Sequence, residues 1–175
     1  VEKGIRGGMC VVSKRYVKAN NKYLKSFDKN KKSNYIKYLD ANNLYGWAMI
    51  QHLPFGGYKW ENPNNFDSLN ILEIPKDSNK GYIFEVDLKY PHKLHDLHND
   101  YPLAPENTKF KNSEFMNNLM KGLNIKNCNI NKLIPNLQDK QKYVVHYRNL
   151  QLYLLLGLEI TKIHRVISFN QSNFL

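Results

Sequence analysis

Apolar and polar positions alternate most regularly over residues 81–90, where Tyr82, Phe84, Val86, Leu88 and Tyr90 share one face and Glu85, Asp87 and Lys89 the other. A period of two predicts a half-buried antiparallel strand with its charged residues turned to solvent. Short apolar runs predict further strands at 9–12, 35–39, 133–137, 143–147 and 159–169. Helical spacing appears at 113–123 and at 149–158, where Leu150, Tyr153, Leu154 and Leu158 form one stripe that ends near Gly157. The mixed pattern of 66–74 predicts a short helix or an irregular segment. Residues 4–8 are turn-rich, and 19–33 are polar and basic with little periodicity. Together these elements predict an α+β fold, an antiparallel sheet with helices packed on one face.

The centre of this arrangement is Tyr35-Ile36-Lys37-Tyr38-Leu39, followed by Asp40-Ala41-Asn42-Asn43-Leu44-Tyr45-Gly46 and then Trp47-Ala48-Met49-Ile50. The first run suits a strand, and Asp/Asn before an apolar run suits a helix start, so Asp40 is expected where a central strand gives way to a helix. Pro54 and Gly56-Gly57 read as the turn that closes the unit. A carboxylate there, with helix-start amides just after it, is a sound place to hold Mg²⁺ against a phosphate. The same pattern is met if Asp40, Asn42 or Asn43 caps the helix and Tyr45 is a core aromatic.

The run Asp40-Ala41-Asn42-Asn43-Leu44-Tyr45 resembles motif A of family B DNA polymerases, and Gly4-Ile5-Arg6-Gly7-Gly8 resembles the Tyr-x-Gly-Gly motif that precedes it in the protein-primed branch. That branch includes enzymes of bacteriophages, adenoviruses, linear plasmids and self-synthesising transposons. Ile5 stands where the motif has tyrosine, and Gly46 where proline is common. The resemblance implies template-directed addition of deoxynucleotides by two-metal chemistry, in protein-primed replication. Asp40, with the carbonyl of Ala41, would ligate Mg²⁺. The amides near Asn43 and Leu44 would face the triphosphate, and Tyr45 would pack beneath the incoming sugar and exclude a 2′-hydroxyl. Arg6, Gly7 and Gly8 would contact template DNA. By order, residues 1–34 are a template-contacting approach, 35–90 a palm segment and 91–168 an α/β insertion that docks the terminal (priming) protein. Residues 169–175 begin a connection to the fingers. Lys109, Lys111, Lys121 and Arg148 suit partner or DNA contacts, or simply a solvated surface.

Charge and composition add partners. A net charge of +11 favours a polyanion such as nucleic acid, although abundant lysine and asparagine are also what an AT-rich coding sequence yields. The basic stretch 19–33 suits either a solvated loop or one that tracks a nucleic-acid backbone. Cys10 and Cys128 form no Cys-x-x-Cys pair, and an intracellular, reducing compartment is expected. His92, His95 and His98 recur every three residues, but surface histidines are expected there rather than zinc ligands. Asp87, on the charged face of the alternating strand, is not expected to be a metal ligand. No fingers lysine motif and no Tyr-x-Asp-Thr-Asp motif occurs, so the chain reads as a fragment that lacks the second metal-binding aspartate. The competing class is a non-catalytic, basic nucleic-acid-binding relic or domesticated module. If the polymerase reading holds, a nucleotidyl-transfer assay with Mg²⁺ on the isolated chain shows no incorporation. Robust Asp40-dependent incorporation would count against this account of the missing parts.

Overall fold

In a computed structural model, residues 1–109, 112–126 and 131–173 are described. Among these residues six strands and five α-helices follow one another as α1 (Leu44–Met49), β1 (Leu53–Glu61), α2 (Ser68–Glu73), β2 (Lys80–Lys89), α3 (His95–His98), β3 (Glu106–Lys109), α4 (Glu114–Gly122), β4 (Asn131–Ile134), β5 (Lys140–His146), α5 (Tyr147–Leu155) and β6 (Glu159–Ser172). The expected α+β class is observed. The main sheet is antiparallel, in the order β1-β6-β2-β5, and β3 and β4 form a separate two-stranded antiparallel sheet.

The alternation of β2 does what its period demands. Phe84, Val86 and Leu88 are fully buried, with Val145, Tyr147, Leu150 and Val166 in the same core and Ile71 of α2 closing it. Each such side chain contributes about 2–3 kcal/mol by leaving water. Gln151 of α5 donates to the carbonyls of Ile71 (2.7 Å) and Ile74 (2.9 Å), so the C-terminal end of α2 is satisfied by its neighbour helix. Inside β2, Gly81 has no alternative: a Cβ there would sit 2.2 Å from the Phe169 ring.

Several expectations need correction. Residues 35–39 form no strand; among the described residues the nearest ladder contact is a single bridge between Asn20 and Asn34. Their apolar side chains stay exposed, Tyr38 at 96% and Leu39 at 83%. The composition suits a strand, but a strand also needs a neighbour, and neither open edge of the sheet, on β1 or on β5, pairs with this segment. Residues 9–12 likewise form no strand and remain exposed. Pro54 and Gly56-Gly57 do not turn the chain; they lie in β1, an edge strand whose register shifts twice around Gly56. An edge tolerates the missing proline N–H, and Gly57 takes φ +67 close against Asn170. Segment 91–168 does not fold apart from 35–90, since β5 and β6 both hydrogen-bond to β2.

The charged face of β2 is not simply solvated. Glu85 is 8% exposed and accepts two bonds from Arg165, its cross-strand partner, at 2.6 and 2.9 Å. Asp87 Oδ1 accepts the Lys142 amide at 2.7 Å and lies 2.8 Å from His164 Nε2. The Arg165 hydrogen bond holds Glu85 below the usual carboxylate range, and the Lys142 amide does the same for Asp87. Among the described residues, no helix is long and apolar enough to cross a membrane.

His146 caps α5, its Nδ1 accepting the Arg148 amide at 3.4 Å, and packs between the rings of Tyr147 and Phe169. Burial pushes its imidazole down to about 4. The unfolded chain, with an ordinary value near 6.5, therefore binds the proton first, and this part of the stability is lost as pH falls below that value. Urea unfolding at pH 7 and pH 5 is expected to differ by about 2 kcal/mol from this group. His146→Asn, which keeps a capping acceptor but cannot titrate, should remove most of that difference; an unchanged pH dependence would refute the assignment.

Candidate functional site

The turn after residue 39 is built around Asn43. Asn43 adopts a left-handed conformation (φ 50, ψ 44), which asparagine reaches more readily than most residues. From there its Oδ1 accepts the Gly46 amide at 3.3 Å, and its carbonyl accepts Trp47 N at 3.0 Å to start α1. Gly46 donates its amide to the cap, which any residue but proline could do, and a Cβ there would come 2.5 Å from the Asn43 side chain. Proline, common at this place in the resembled motif, has no N–H to give. The cap is thus Asn43, and Asp40 is left out of it.

Asp40 and Tyr45 face outward. Tyr45 is 88% exposed, which excludes a core role for it within this chain, and Leu44 and Asp40 are exposed as well. Among the described residues, no hydrogen bond or ion pair reaches Asp40 or the Tyr45 hydroxyl, and the amides of Leu44 and Tyr45 donate to nothing. The far end of α1 is anchored by Gln51, which donates to Trp47 O and accepts from Arg148 at 3.1 Å. The Asp40 turn is thus presented on a short helix whose other end is tied to α5, not on the central strand expected for it. Its donor set is one carboxylate and the neighbouring Ala41 carbonyl, both hard oxygens. That suits Mg²⁺, which takes one or two carboxylates and completes its shell with phosphate oxygens and water. Among the described residues, no group of three or more potential ligands is gathered.

The Gly-Gly stretch lies elsewhere. Arg6 turns inward, donating from Nε to Pro105 O (3.1 Å) and from Nη1 to Val144 O (2.7 Å), with its guanidinium 3.8 Å above the Tyr143 ring. Its fork is spent on fastening the N-terminal segment to β5, whereas a phosphate-contacting role was expected of it. A Cβ added at Gly7 or Gly8 would meet nothing within 4 Å, and with Asn107, Asn131 and Lys132 the two glycines line a polar concavity of about 560 Å³. Lys132, on β4, was not singled out by the sequence, because only the fold brings it beside residues 5–8.

The histidine series is dispersed among roles. His92 and His95 stack at 4.6 Å, while His98 is buried, not at the surface, with Nδ1 2.8 Å from the Tyr90 hydroxyl. Cys128 and Lys111 lie outside the described residues. Lys140, unremarked in the sequence, is 1% exposed and bonds Glu106 at 3.0 Å together with Asn136, joining β5 to the β3–β4 sheet.

No family model, no curated protein and no solved structure matches the chain.

The contacts of Arg6 generate a test. Arg6→Lys keeps the charge but loses the fork and the stacking on Tyr143. It is expected to lower stability by about 1–3 kcal/mol, because half-buried carbonyls lose their donors, while affinity for DNA changes less than twofold. A large loss of DNA affinity in a variant of unchanged stability would instead place Arg6 on phosphate.

Proposed function

We propose that this chain carries the nucleotide-binding turn of a DNA-directed DNA polymerase, resembling the protein-primed branch of family B. The observation that carries the reading is the division of labour in the 40–45 turn. Asn43 alone supplies the helix cap, while Asp40 and Tyr45 stand outside cap and core, exposed and uncommitted. These are the two positions whose chemistry the resembled motif requires.

In this reading Asp40 and the Ala41 carbonyl hold Mg²⁺ together with the triphosphate. The metal, when bound, supplies charge neutralisation on the phosphates and activation of the primer hydroxyl. The amides of Leu44 and Tyr45 donate to triphosphate oxygens, for which they have no competing acceptor among the described residues. The Tyr45 ring lies beneath the deoxyribose and leaves no room for a 2′-hydroxyl, so selection against ribonucleotides is steric. Template and primer approach along the basic N-terminal region, past Gly7 and Gly8. Residues 91–168 offer the surface for a priming protein, with β5, α5 and β6 serving the sheet as well.

The test uses Mn²⁺ as a paramagnetic stand-in for Mg²⁺, added with dATP to the isotope-labelled chain. Amide resonances of residues 40–45 are expected to broaden selectively, and Asp40→Asn to abolish the effect. Tyr45→Ala should narrow the difference in affinity between dATP and ATP. Broadening spread evenly over the acidic residues, or unchanged in Asp40→Asn, would leave the chain a basic binding module without a nucleotide site.

A further inference from the structure

The nine residues of α4 (Glu114–Gly122) have an apolar side left open among the described residues. Phe115, Met116, Leu119, Met120 and Leu123 recur at the spacing that gathers side chains along one side of a helix, with Glu114, Asn117, Asn118 and Lys121 on the other. Phe115 is 75% exposed and Leu123 60%, and no residue of α4 is buried or packed against the core. The helix is closed by its own polar groups: Ser113 Oγ accepts the Met116 amide at 3.2 Å, and the Leu123 amide donates to Leu119 O at 3.0 Å. Most helices in proteins are stabilised by packing their apolar face, and α4 keeps that face free.

Its surroundings carry charge of one sign. α4 lies in the connection between β3 and β4, beyond the Lys109–Asn131 pair at which that two-stranded sheet ends. Over residues 107–134, Lys109, Lys111, Lys121, Lys126 and Lys132 stand against one acid, Glu114. Lys109, Lys126 and Lys132 flank the helix, are exposed, and are ion-paired with no other described residue. A second copy fits this surface badly: it brings the same lysines, and a stable interface takes roughly 20–30 residues a side, more than one short helix offers. Nucleic acid meets the lysines but not the apolar side. An anionic bilayer meets both, because its acyl boundary takes the apolar side of a helix lying in the surface plane and its headgroups attract the flanking ammonium groups.

We propose that α4 is a membrane-surface anchor, lying in the headgroup layer of an anionic bilayer with Phe115, Met116, Leu119 and Leu123 turned inward and Lys109, Lys126 and Lys132 at the lipid headgroups. Strength of attachment scales with the apolar area buried and with the attraction to anionic lipid, so one short helix and a few lysines hold the chain reversibly at the surface. The anchor shares no residue with the Asp40 turn and stands whether or not that turn binds a nucleotide.

Co-sedimentation of the chain with extruded vesicles tests it, phosphatidylcholine alone against seven parts phosphatidylcholine to three of phosphatidylserine. Partition onto the mixed vesicles is expected to be at least tenfold stronger than onto phosphatidylcholine, and to weaken as salt rises. The Phe115→Ser, Leu119→Ser double variant should lose at least tenfold on mixed vesicles and keep the wild-type urea midpoint, since both side chains are exposed. The Lys109, Lys126 and Lys132→Ser triple variant should lose about fivefold for each charge removed, the equivalent of roughly 1 kcal/mol per lysine near an anionic surface. Asp40→Asn should bind vesicles as the wild type does, which separates the anchor from the nucleotide turn. Undiminished binding by the double variant would overturn the proposal, leaving only the general attraction of a basic chain for anions. So would failure to sediment with either vesicle, or a wild-type dimer at the same concentration that the double variant abolishes, which would make the apolar side a contact between copies.

Discussion

Everything in the main sheet depends on where β6 is inserted. It is the last strand among the described residues, yet it lies between β1 and β2, pairing with β2 along most of its length and with β1 over its second half. Without it β1 has no neighbour, and β2 keeps β5 alone. The paired side chains reflect this: Val166 meets Phe84 in the core, Arg165 meets Glu85 on the opposite face, and Ser168 donates to Glu61 at 2.7 Å on the way to the edge. The Ser168 hydroxyl, foremost, holds the Glu61 carboxyl low, and Lys59 and Lys80 add to the effect. One strand therefore sets the register for both the apolar and the charged layers.

How far this could be read in advance varies with the range of the interactions. Where local pattern decides, the reading was close: residues 81–90 became β2, 113–123 became α4 with its Ser113 cap, 149–158 became most of α5, and 159–169 became most of β6. Where a partner distant in sequence decides, it was not. Residues 35–39 have strand composition but no strand beside them, and Pro54-Phe55-Gly56-Gly57 look like a turn but are held extended by β6. Glu85 and Asp87 looked solvated because Arg165, His164 and the Lys142 amide lie 55 to 80 residues away in the chain.

The candidate site divides along the same line. The cap at Asn43 and the exposure of Asp40 are properties of a few consecutive residues, and the motif Asp40-Ala41-Asn42-Asn43-Leu44-Tyr45 already contained them. The fate of Arg6 was not local: its guanidinium answers to Pro105, Val144 and Tyr143, all about a hundred or more positions on. Loop 20–34 lies between these cases. Its charge was evident from the lysines, but its order comes from hydrogen bonds of Asn20, Asn21 and Asn34, a residue type that sequence composition alone would assign to drift.

The unpaired segment at 35–39 carries a hazard that its own sequence moderates. Tyr35, Ile36, Tyr38 and Leu39 make a short, exposed run of high β-propensity, the kind that zips onto identical segments of other molecules. Lys37 interrupts it at the centre, and Lys32 and Asp40 stand near its two ends. Stacked in register, chains would place Lys37 on Lys37 every ~4.8 Å, a repulsion that charge screening at high ionic strength relieves. The same lysine that weakens this stretch as a strand keeps molecules of the protein apart.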